Sequence, residues 1–222
     1  MNRVLVVAVH PDDETLGCGG TLLKYKSDND EVHWLIVTDI KESEGFDKYA
    51  IERRKNEIDK VKKIFNFDSV SKLGLSTTKI DEYSMNSLIG KISSVIKKVK
   101  PNIIYLPFKG DIHSDHKHVF DAAYSCTKSF RYPFINKIYM METLSETEFS
   151  LSTKEDSFIP NVFVDISDYM NKKIEAMKMY EGEMGSHPFP RSERNIKALA
   201  TYRGATAGCE YAESFMLIKE VG

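Results

Sequence analysis

Residues 4–9, which read VLVVAV, decide the class of fold. This continuous apolar run is rich in β-branched side chains, and such a run is typical of a strand buried on both faces of a parallel sheet. Residues 15–27 then have the character of a helix, and residues 31–38 (EVHWLIVT) form a second apolar run. A strand, a helix and another strand in this order predict a parallel βαβ unit.

The same alternation of strands and helices continues along the chain. Further strands are predicted at 69–75, 102–107, 137–142 and 215–220, the last as a closing edge strand, and further helices at 47–65, 84–99, 114–128, 168–181 and 194–202. The pattern indicates a doubly wound α/β fold, with a mostly parallel sheet, helices on both faces and a C-terminal extension. Because no repeat or linker interrupts the chain, we expect residues 1–222 to form one domain.

The composition is that of an ordinary globular protein. The chain has 222 residues, of which 41% are hydrophobic and 29% charged. Its 31 basic and 33 acidic side chains leave a net charge of −2, without the basic excess that is typical of a nucleic-acid-binding protein. No apolar run is long enough to cross a bilayer, and the short apolar N-terminus does not fit a signal peptide. Three widely spaced cysteines cannot form a complete disulfide set, so we expect a reduced, cytoplasmic protein. The sequence leaves open whether it forms a homo-oligomer.

Histidine and aspartate concentrate where two of the predicted strands end. His10 directly follows the first strand, within the sequence HPDD, and the segment DIHSDHKH at 111–118 follows the strand at 102–107. In an open parallel sheet, ligands bind outside the carboxyl ends of the strands. The two clusters are therefore predicted to converge, although they are far apart along the chain.

This mixture of residue types favours a metal site. Histidine with aspartate suits a cation such as Zn²⁺, and three protein ligands plus water are typical of a catalytic zinc site. On a helix that begins at Ser114, His116 and His118 point about 200° apart and cannot share one ion, whereas His113 and His116 point to the same side. The same donors accept Fe²⁺ and other divalent ions, which leaves the metal open. The alternative is structural: the histidines cap backbone groups and the aspartates belong to ordinary turns.

Three motifs resemble the signatures of the LmbE-like, or PIG-L, de-N-acetylases. Residues 8–14 (AVHPDDE), followed by the glycines at 17, 19 and 20, resemble the first family signature, and residues 113–116 (HSDH) resemble the second, H-x-D-H. The segment 203–215, which ends in YAESF, resembles the closing segment of the family and is the least specific of the three. The resemblance covers most of the chain in the order of the family.

The resemblance implies a Rossmann-like fold and a zinc-dependent hydrolase that removes the N-acetyl group from an amino sugar such as N-acetylglucosamine or its conjugates. It also implies roles for single residues. The matching metal ligands are His10, Asp13 and His116; the base for the attacking water is Asp12; the acid or oxyanion stabiliser is His113; and the carboxylate that keeps that histidine charged is Asp115. The residues alone do not divide Asp12 and Asp13 into base and ligand, and that division comes from the family.

Two arginines are candidate substrate-binding residues. Arg54 lies on the core-facing stripe of its predicted helix, where it either pairs with Glu57 or reaches the rim of the active site, and family members carry an R-x-x-E at this point. Arg203, like Arg191 and Arg194, is a candidate for holding a phosphate or carboxylate group of the substrate.

The sequence does not identify the group attached to the sugar, and it leaves two rival functions open. The helix before the loop at 182–191 ends in Tyr180-Glu181, where many relatives have a Ser-Gln pair, and the loop either shapes the sugar pocket or is ordinary surface. One rival function is a metallophosphoesterase, which generally needs more bridging carboxylates than we can place. The other is a non-catalytic sugar- or nucleotide-binding module.

Overall fold

A seven-stranded mixed sheet forms the centre of the protein, which is described by a computed structural model that covers residues 1–222. The strands are β1 (Arg3–Ala8), β2 (Glu31–Asp39), β3 (Ser69–Ser76), β4 (Ile103–Leu106), β5 (Lys137–Met141), β6 (Val162–Asp165) and β7 (Ala212–Glu220). They lie in the order β3-β2-β1-β4-β5-β7-β6. The first five are mutually parallel, and β7 runs antiparallel to both β5 and β6. The predicted mostly parallel sheet is confirmed.

Six helices cover the two faces of this sheet. They are α1 (Asp13–Ser27), α2 (Lys48–Phe65), α3 (Met85–Val99), α4 (Ser114–Ser125), α5 (Met170–Met177) and α6 (Glu193–Ala207). Side chains from α1, α2, α5 and α6 form one buried cluster, and those from α3 and α4 form the other. Alternate residues of β1 point into the two clusters, Val4 and Val6 into one and Leu5 and Val7 into the other, which is why this strand is apolar throughout. None of the helices combines the length and apolar character that crossing a bilayer requires.

The order of the strands places a crevice between β1 and β4. These two neighbours are parallel, and the chain leaves their carboxyl ends toward opposite faces of the sheet, because α1 packs on one face and α4 on the other. Such a point of reversal is where open α/β sheets bind ligands. His10 lies just beyond β1, and the segment before α4 lies just beyond β4. Both histidine-containing clusters are thus brought to one place.

The carboxyl-terminal third departs from the sequence prediction. The strand predicted at 215–220 as an edge strand begins at Ala212 and lies inside the sheet, between β5 and β6. The edge is formed by β6, which was not predicted because its four residues include none that is fully buried and therefore show no clear hydrophobic pattern. The helix predicted at 168–181 is shorter and is observed as α5.

A buried ion pair ties this third to the first helix. Helix α1 is interrupted at Cys18, which has φ −149° and ψ 20°. The carboxylate of Glu213 accepts hydrogen bonds from the amides that follow the interruption, 2.9 Å from Gly20 N and 2.8 Å from Thr21 N. Its charge is balanced by Lys173, whose Nζ lies 2.7 Å away and also donates to the Leu16 carbonyl. Glu213, from the YAESF motif, thus joins α1, α5 and β7.

We expect Lys173→Met to lower the free energy of unfolding by about 3–5 kcal/mol, because it leaves the Glu213 carboxylate buried without a countercharge. Lys173 and Glu213 are only 5% exposed. Urea denaturation followed by circular dichroism measures the change. The matched control is Lys172→Met, since the neighbouring side chain is exposed and should tolerate the same substitution. Equal losses for the two variants would show that the ion pair contributes no more than a surface lysine.

Candidate active site

The turn between β1 and α1 is fixed by two carboxylates. Asp13 Oδ2 accepts hydrogen bonds from the backbone N–H groups of Val9 and His10, at 2.9 and 2.8 Å. Asp12 has φ 134°, a strained value for a residue with a side chain, and such strain concentrates at functional sites. Its N–H donates to Glu14 Oε2 over 3.2 Å. The turn therefore holds Asp12 in a conformation that the isolated peptide would avoid.

The buried Glu14 side chain stabilises this turn. It is fully buried, and Tyr180 Oη donates to its Oε1 at 2.7 Å. Burial raises the pKa of Glu14 to about 7, although hydrogen bonds from Thr15, Tyr180 and Asp12 oppose that effect. Glu14 binds neighbouring groups and is not among the residues that line the cavity, so its role is structural.

The start of α4 brings two more histidines to the same place. His113 caps the helix, and its Nδ1 accepts a hydrogen bond from Asp115 N at 3.1 Å. The His10 ring lies 4.7 Å from the His113 ring and 5.3 Å from the His116 ring, measured between centroids. His118 is on the exposed side of the helix, where Nδ1 bonds to the Ser114 carbonyl. Helical spacing predicted this separation of His116 from His118.

Three of these residues are arranged as a metal site would be. His10, Asp13 and His116 each offer a ligand atom, and these atoms lie within 4.8 Å of one another. His116 is fully buried, yet its Nε2 has no hydrogen-bond partner, although Asp13 Oδ2 is 3.4 Å away. A buried polar atom without a partner is rare, and a bound ion or water commonly accounts for one. The two nitrogens and one oxygen are a donor set compatible with a divalent metal.

Asp111 orients the His116 ring. Its Oδ2 lies 2.8 Å from His116 Nδ1, and its Oδ1 accepts a hydrogen bond from Thr147 Oγ1 at 2.7 Å. Burial lowers the pKa of His116, but the charges of Asp13 and Asp111 and the bond to Asp111 outweigh it and raise the pKa to about 9. A carboxylate on Nδ1 is the usual outer partner of a metal-binding histidine, because it turns Nε2 toward the ion. Sequence reasoning gave Asp111 no role, although a carboxylate near a candidate ligand is the signal to look for.

We expect Asp111→Asn to weaken metal affinity about 10- to 100-fold, because the neutral amide loses the charge that supports the His116 ring. Competition with a fluorescent chelator measures the affinity. Asp121→Asn is the matched control, since Asp121 is an exposed aspartate on α4, the helix that carries His116. Unchanged affinity in the Asp111 variant would mean that this carboxylate acts on folding alone.

The Asp115 side chain has a different neighbour from the one that the family resemblance implies. Its oxygens accept hydrogen bonds from the backbone of Thr78 and Ile80, at 2.7 and 3.2 Å, and Oδ2 lies 3.3 Å from His10 Nε2. It makes no hydrogen bond to the His113 ring, whose Nδ1 is occupied by the Asp115 backbone instead. Burial lowers the pKa of His113, and the charge of His10 adds to this effect. The geometry therefore favours a neutral His113 that carries its proton on Nε2.

A polar cavity opens beside these residues, and Arg54 reaches it. The lining includes His10, Asp12, Asp13 and His113, and only two of its fifteen residues are hydrophobic. Arg54 Nη1 donates to the Pro11 carbonyl at 3.1 Å, while its Nε lies 3.3 Å from Glu57 Oε2. The two alternatives for Arg54 are compatible, because the side chain pairs with Glu57 and also reaches the cavity.

Arg203 is not brought to this cavity. Its Nε donates to Glu142 Oε2 at 2.9 Å, and Ser214 Oγ bonds to the same oxygen at 2.7 Å. The residue lines a separate, smaller cleft beside α6. Of the three candidate arginines in this part of the sequence, Arg191 lines the main cavity, from the loop at 182–191, and Arg194 and Arg203 do not.

Three acidic residues of the cavity were missed by sequence reasoning: Asp39 at the end of β2, and two residues in irregular segments. Glu183 belongs to the loop at 182–191, and Glu146 follows β5. Glu146 Oε2 is buried without a hydrogen-bond partner, and burial raises the pKa of this residue to about 7. Both lie in irregular segments, where no periodicity predicts which way a side chain points.

A polar cavity with clustered histidines and aspartates, at the carboxyl edge of a parallel sheet, defines an α/β enzyme. Residues 5–127, more than half of the chain, match the family model described as "PIG-L: GlcNAc-PI de-N-acetylase". The chain therefore belongs to the PIG-L family of de-N-acetylases, which confirms the resemblance seen in its motifs and the prediction of a hydrolase.

Individual relatives agree with this membership. A diacetylchitobiose deacetylase of Thermococcus kodakarensis is 26% identical over 98% of this chain and 84% of its own. The solved N,N'-diacetylchitobiose deacetylase of Pyrococcus horikoshii superposes with a TM-score of 0.77 at 19% identity, covering 97% of this chain and 83% of its own. A 4-carboxy-2-hydroxymuconate hydratase of Pseudomonas putida superposes with 0.75 at 16% identity, over 100% and 98%. At such identities the two structures establish the fold alone.

Proposed function

We propose that the protein is a zinc-dependent hydrolase that removes the N-acetyl group from an N-acetylglucosamine-like sugar or sugar conjugate. The observation that carries the proposal is the grouping of His10, Asp13 and His116, with the buried Nε2 of His116 free to bind an ion, beside Asp12 in a polar cavity. Membership of a de-N-acetylase family and likeness to a diacetylchitobiose deacetylase support the same reaction.

The metal would be held by His10, Asp13 and His116, and the same donors also accept Fe²⁺. When bound, a divalent metal polarises the acetyl carbonyl and makes water acidic enough to be deprotonated near neutral pH. The chain supplies the orientation: Asp111 turns the His116 ring, while the Asp115 carboxylate lies against His10. Asp115 thus acts in this proposal as a positioning residue for His10, and no longer as the partner that charges His113.

Asp12 is the base in this scheme. Burial raises its pKa well above the usual value, and the neighbouring charge of Asp13 adds to the effect. A carboxylate whose pKa is raised toward the working pH takes a proton from water more effectively. The oxygen of that water bonds to the acetyl carbon, the C–N bond then breaks, and Asp12 passes the proton to the leaving amine. The products are acetate and a free amino sugar.

His113 stabilises the acetyl oxygen as it gains negative charge. Its Nδ1 is tied to the Asp115 N–H, so the neutral ring presents an Nε2–H donor at the cavity. Donors already aimed at a developing oxyanion are worth about 10²–10³ in rate. Of the two roles that the family resemblance implies for His113, this geometry favours oxyanion stabilisation over proton donation.

We further propose that this reaction takes place in the cytoplasm and that its substrate is a small-molecule amino sugar. Its support is that all three cysteines are free thiols, the state that a reducing compartment maintains. The metallophosphoesterase alternative is disfavoured by the site, because the second possible group of ligands, His10, His113 and Asp115, shares His10 with the first. A two-metal site would need ligands for both ions.

The test combines metal analysis with product analysis. Purified protein is loaded with zinc and assayed on N,N'-diacetylchitobiose and on N-acetylglucosamine glycosides for release of both acetate and amine. We expect equal amounts of the two products, loss of activity on chelation and recovery with zinc. Failure to bind zinc would refute the proposed chemistry, and addition of water to an unsaturated acid without acetate release would place the chain with the hydratase of the same fold.

A further inference from the structure

Three side chains that line the cavity are joined to one another, and we call Arg54, Glu183 and Arg191 the arginine clamp. Glu183 stands between the two arginines. Its Oε1 accepts a hydrogen bond from Arg54 Nη2 and its Oε2 accepts one from Arg191 Nη2, each at 2.9 Å. Both guanidinium groups therefore share one carboxylate, and all three residues line the cavity.

The remaining nitrogens of both guanidinium groups also have partners within the protein. Arg191 donates from Nε to the Glu183 carbonyl at 2.7 Å and from Nη1 to Ser145 Oγ at 2.9 Å. Arg54 donates to the Pro11 carbonyl and lies beside Glu57. An arginine that recognises a phosphate or carboxylate offers it two parallel N–H groups and an unbalanced charge. Glu183 and Glu57 together balance the two guanidinium charges, so the clamp has no excess positive charge to offer.

The rest of the lining is acidic. Beside Glu183, four lining residues carry a carboxyl group, whereas the only basic lining residues with a permanent charge are the two arginines of the clamp. One of the carboxylates, Glu146, keeps a buried Oε2 without a hydrogen-bond donor. Such an oxygen gains a partner from a sugar hydroxyl, whereas a phosphate or carboxylate in the same place would bring a second negative charge into a site shielded from water.

We infer that the cavity selects uncharged amino-sugar substrates against phosphorylated or carboxylated ones, and that Glu183 is the residue that sets this selectivity by pairing with both Arg54 and Arg191. The inference rests on the proposed deacetylase function and adds the substrate's charge class to it. It replaces the expectation from sequence that an arginine of this region holds a phosphate or carboxylate. Selection here works by a repulsive element as well as by fit.

The test compares two substrates that differ in charge at one position, the methyl glycoside of N-acetylglucosamine and N-acetylglucosamine 1-phosphate. We expect the wild-type kcat/KM to be at least about tenfold higher for the methyl glycoside. Glu183→Gln should narrow that ratio about fivefold or more, mainly by lowering KM for the phosphate, because it leaves both arginines without their shared countercharge. Glu181→Gln is the control, since Glu181 lies in the same segment with its side chain 67% exposed.

Arg191→Gln is a second variant, for which the opposite effect is expected. It should raise the ratio of kcat/KM for the methyl glycoside to kcat/KM for the phosphate. Calorimetric binding of the two deacetylated products, methyl glucosaminide and glucosamine 1-phosphate, reports selectivity without turnover. Tighter binding of the phosphate by the wild type, or an unchanged ratio in Glu183→Gln, would overturn the inference. Absence of turnover on both substrates would count against the deacetylase function, and the binding comparison would still decide the charge class.

Discussion

Asp12→Asn is expected to lower kcat by about two to four orders of magnitude while the protein keeps its fold and its metal. The amide has the shape of the carboxylate but cannot take a proton from water. Asparagine also tolerates the positive φ of this position better than most residues, so the strained turn should survive. Asp12 is not among the ligand atoms that His10, Asp13 and His116 bring together, so metal affinity should change little.

Metal content and amine release are measured on the same preparation of this variant. Asp121→Asn serves as the control, because it removes a carboxylate from an exposed position and should leave kcat unchanged. A variant that lost both metal and activity would show that Asp12 is a ligand, and the base would then have to be sought among the other carboxylates of the cavity. A variant that kept a tenth or more of the wild-type kcat would exclude a base role.

The central strands and the convergence of the two clusters could be predicted because they follow from short-range patterns. The unbroken apolar run of β1 indicates burial on both faces, and strands that alternate with helices run parallel, so their carboxyl ends share one edge. Three-residue spacing on a helix placed His113 and His116 together and kept His118 apart. Each of these steps depends on neighbours within about ten residues.

The parts that could not be predicted depend on how irregular turns fold and on contacts between segments, neither of which leaves a periodic pattern in the sequence. The bond from Asp111 to His116 depends on where the turn before α4 folds back, and Glu183 joins Arg54 of α2 to Arg191 of its own loop. The edge strand β6 lacks a buried face and so carries no pattern. The residue types at a site can be predicted from sequence more readily than the hydrogen-bond or ion-pair partner of each residue.

His116→Ala is expected to abolish metal binding and activity together. Its Nε2 is a buried ring nitrogen without a hydrogen-bond partner, and Asp111 fixes the ring through Nδ1. Loss of one of three protein ligands should weaken affinity by more than the roughly 100-fold expected from loss of an outer partner. Zinc at about 100 times its dissociation constant stabilises a native protein by about 2.7 kcal/mol, so the wild type should unfold at higher temperature with zinc and the variant should not respond.

His118→Ala makes the comparison decisive, because it applies the same substitution two residues along the same helix. His118 is only partly buried and bonds to the Ser114 carbonyl, so this variant should keep the zinc-dependent shift in unfolding temperature and full activity. Unfolding without zinc is recorded for both variants, which separates loss of packing around the buried His116 ring from loss of the ion. If His116→Ala still responded to zinc as the wild type does, the ion would have to be held by His10, His113 and Asp115, and Asp13 would return to a structural role in the β1–α1 turn.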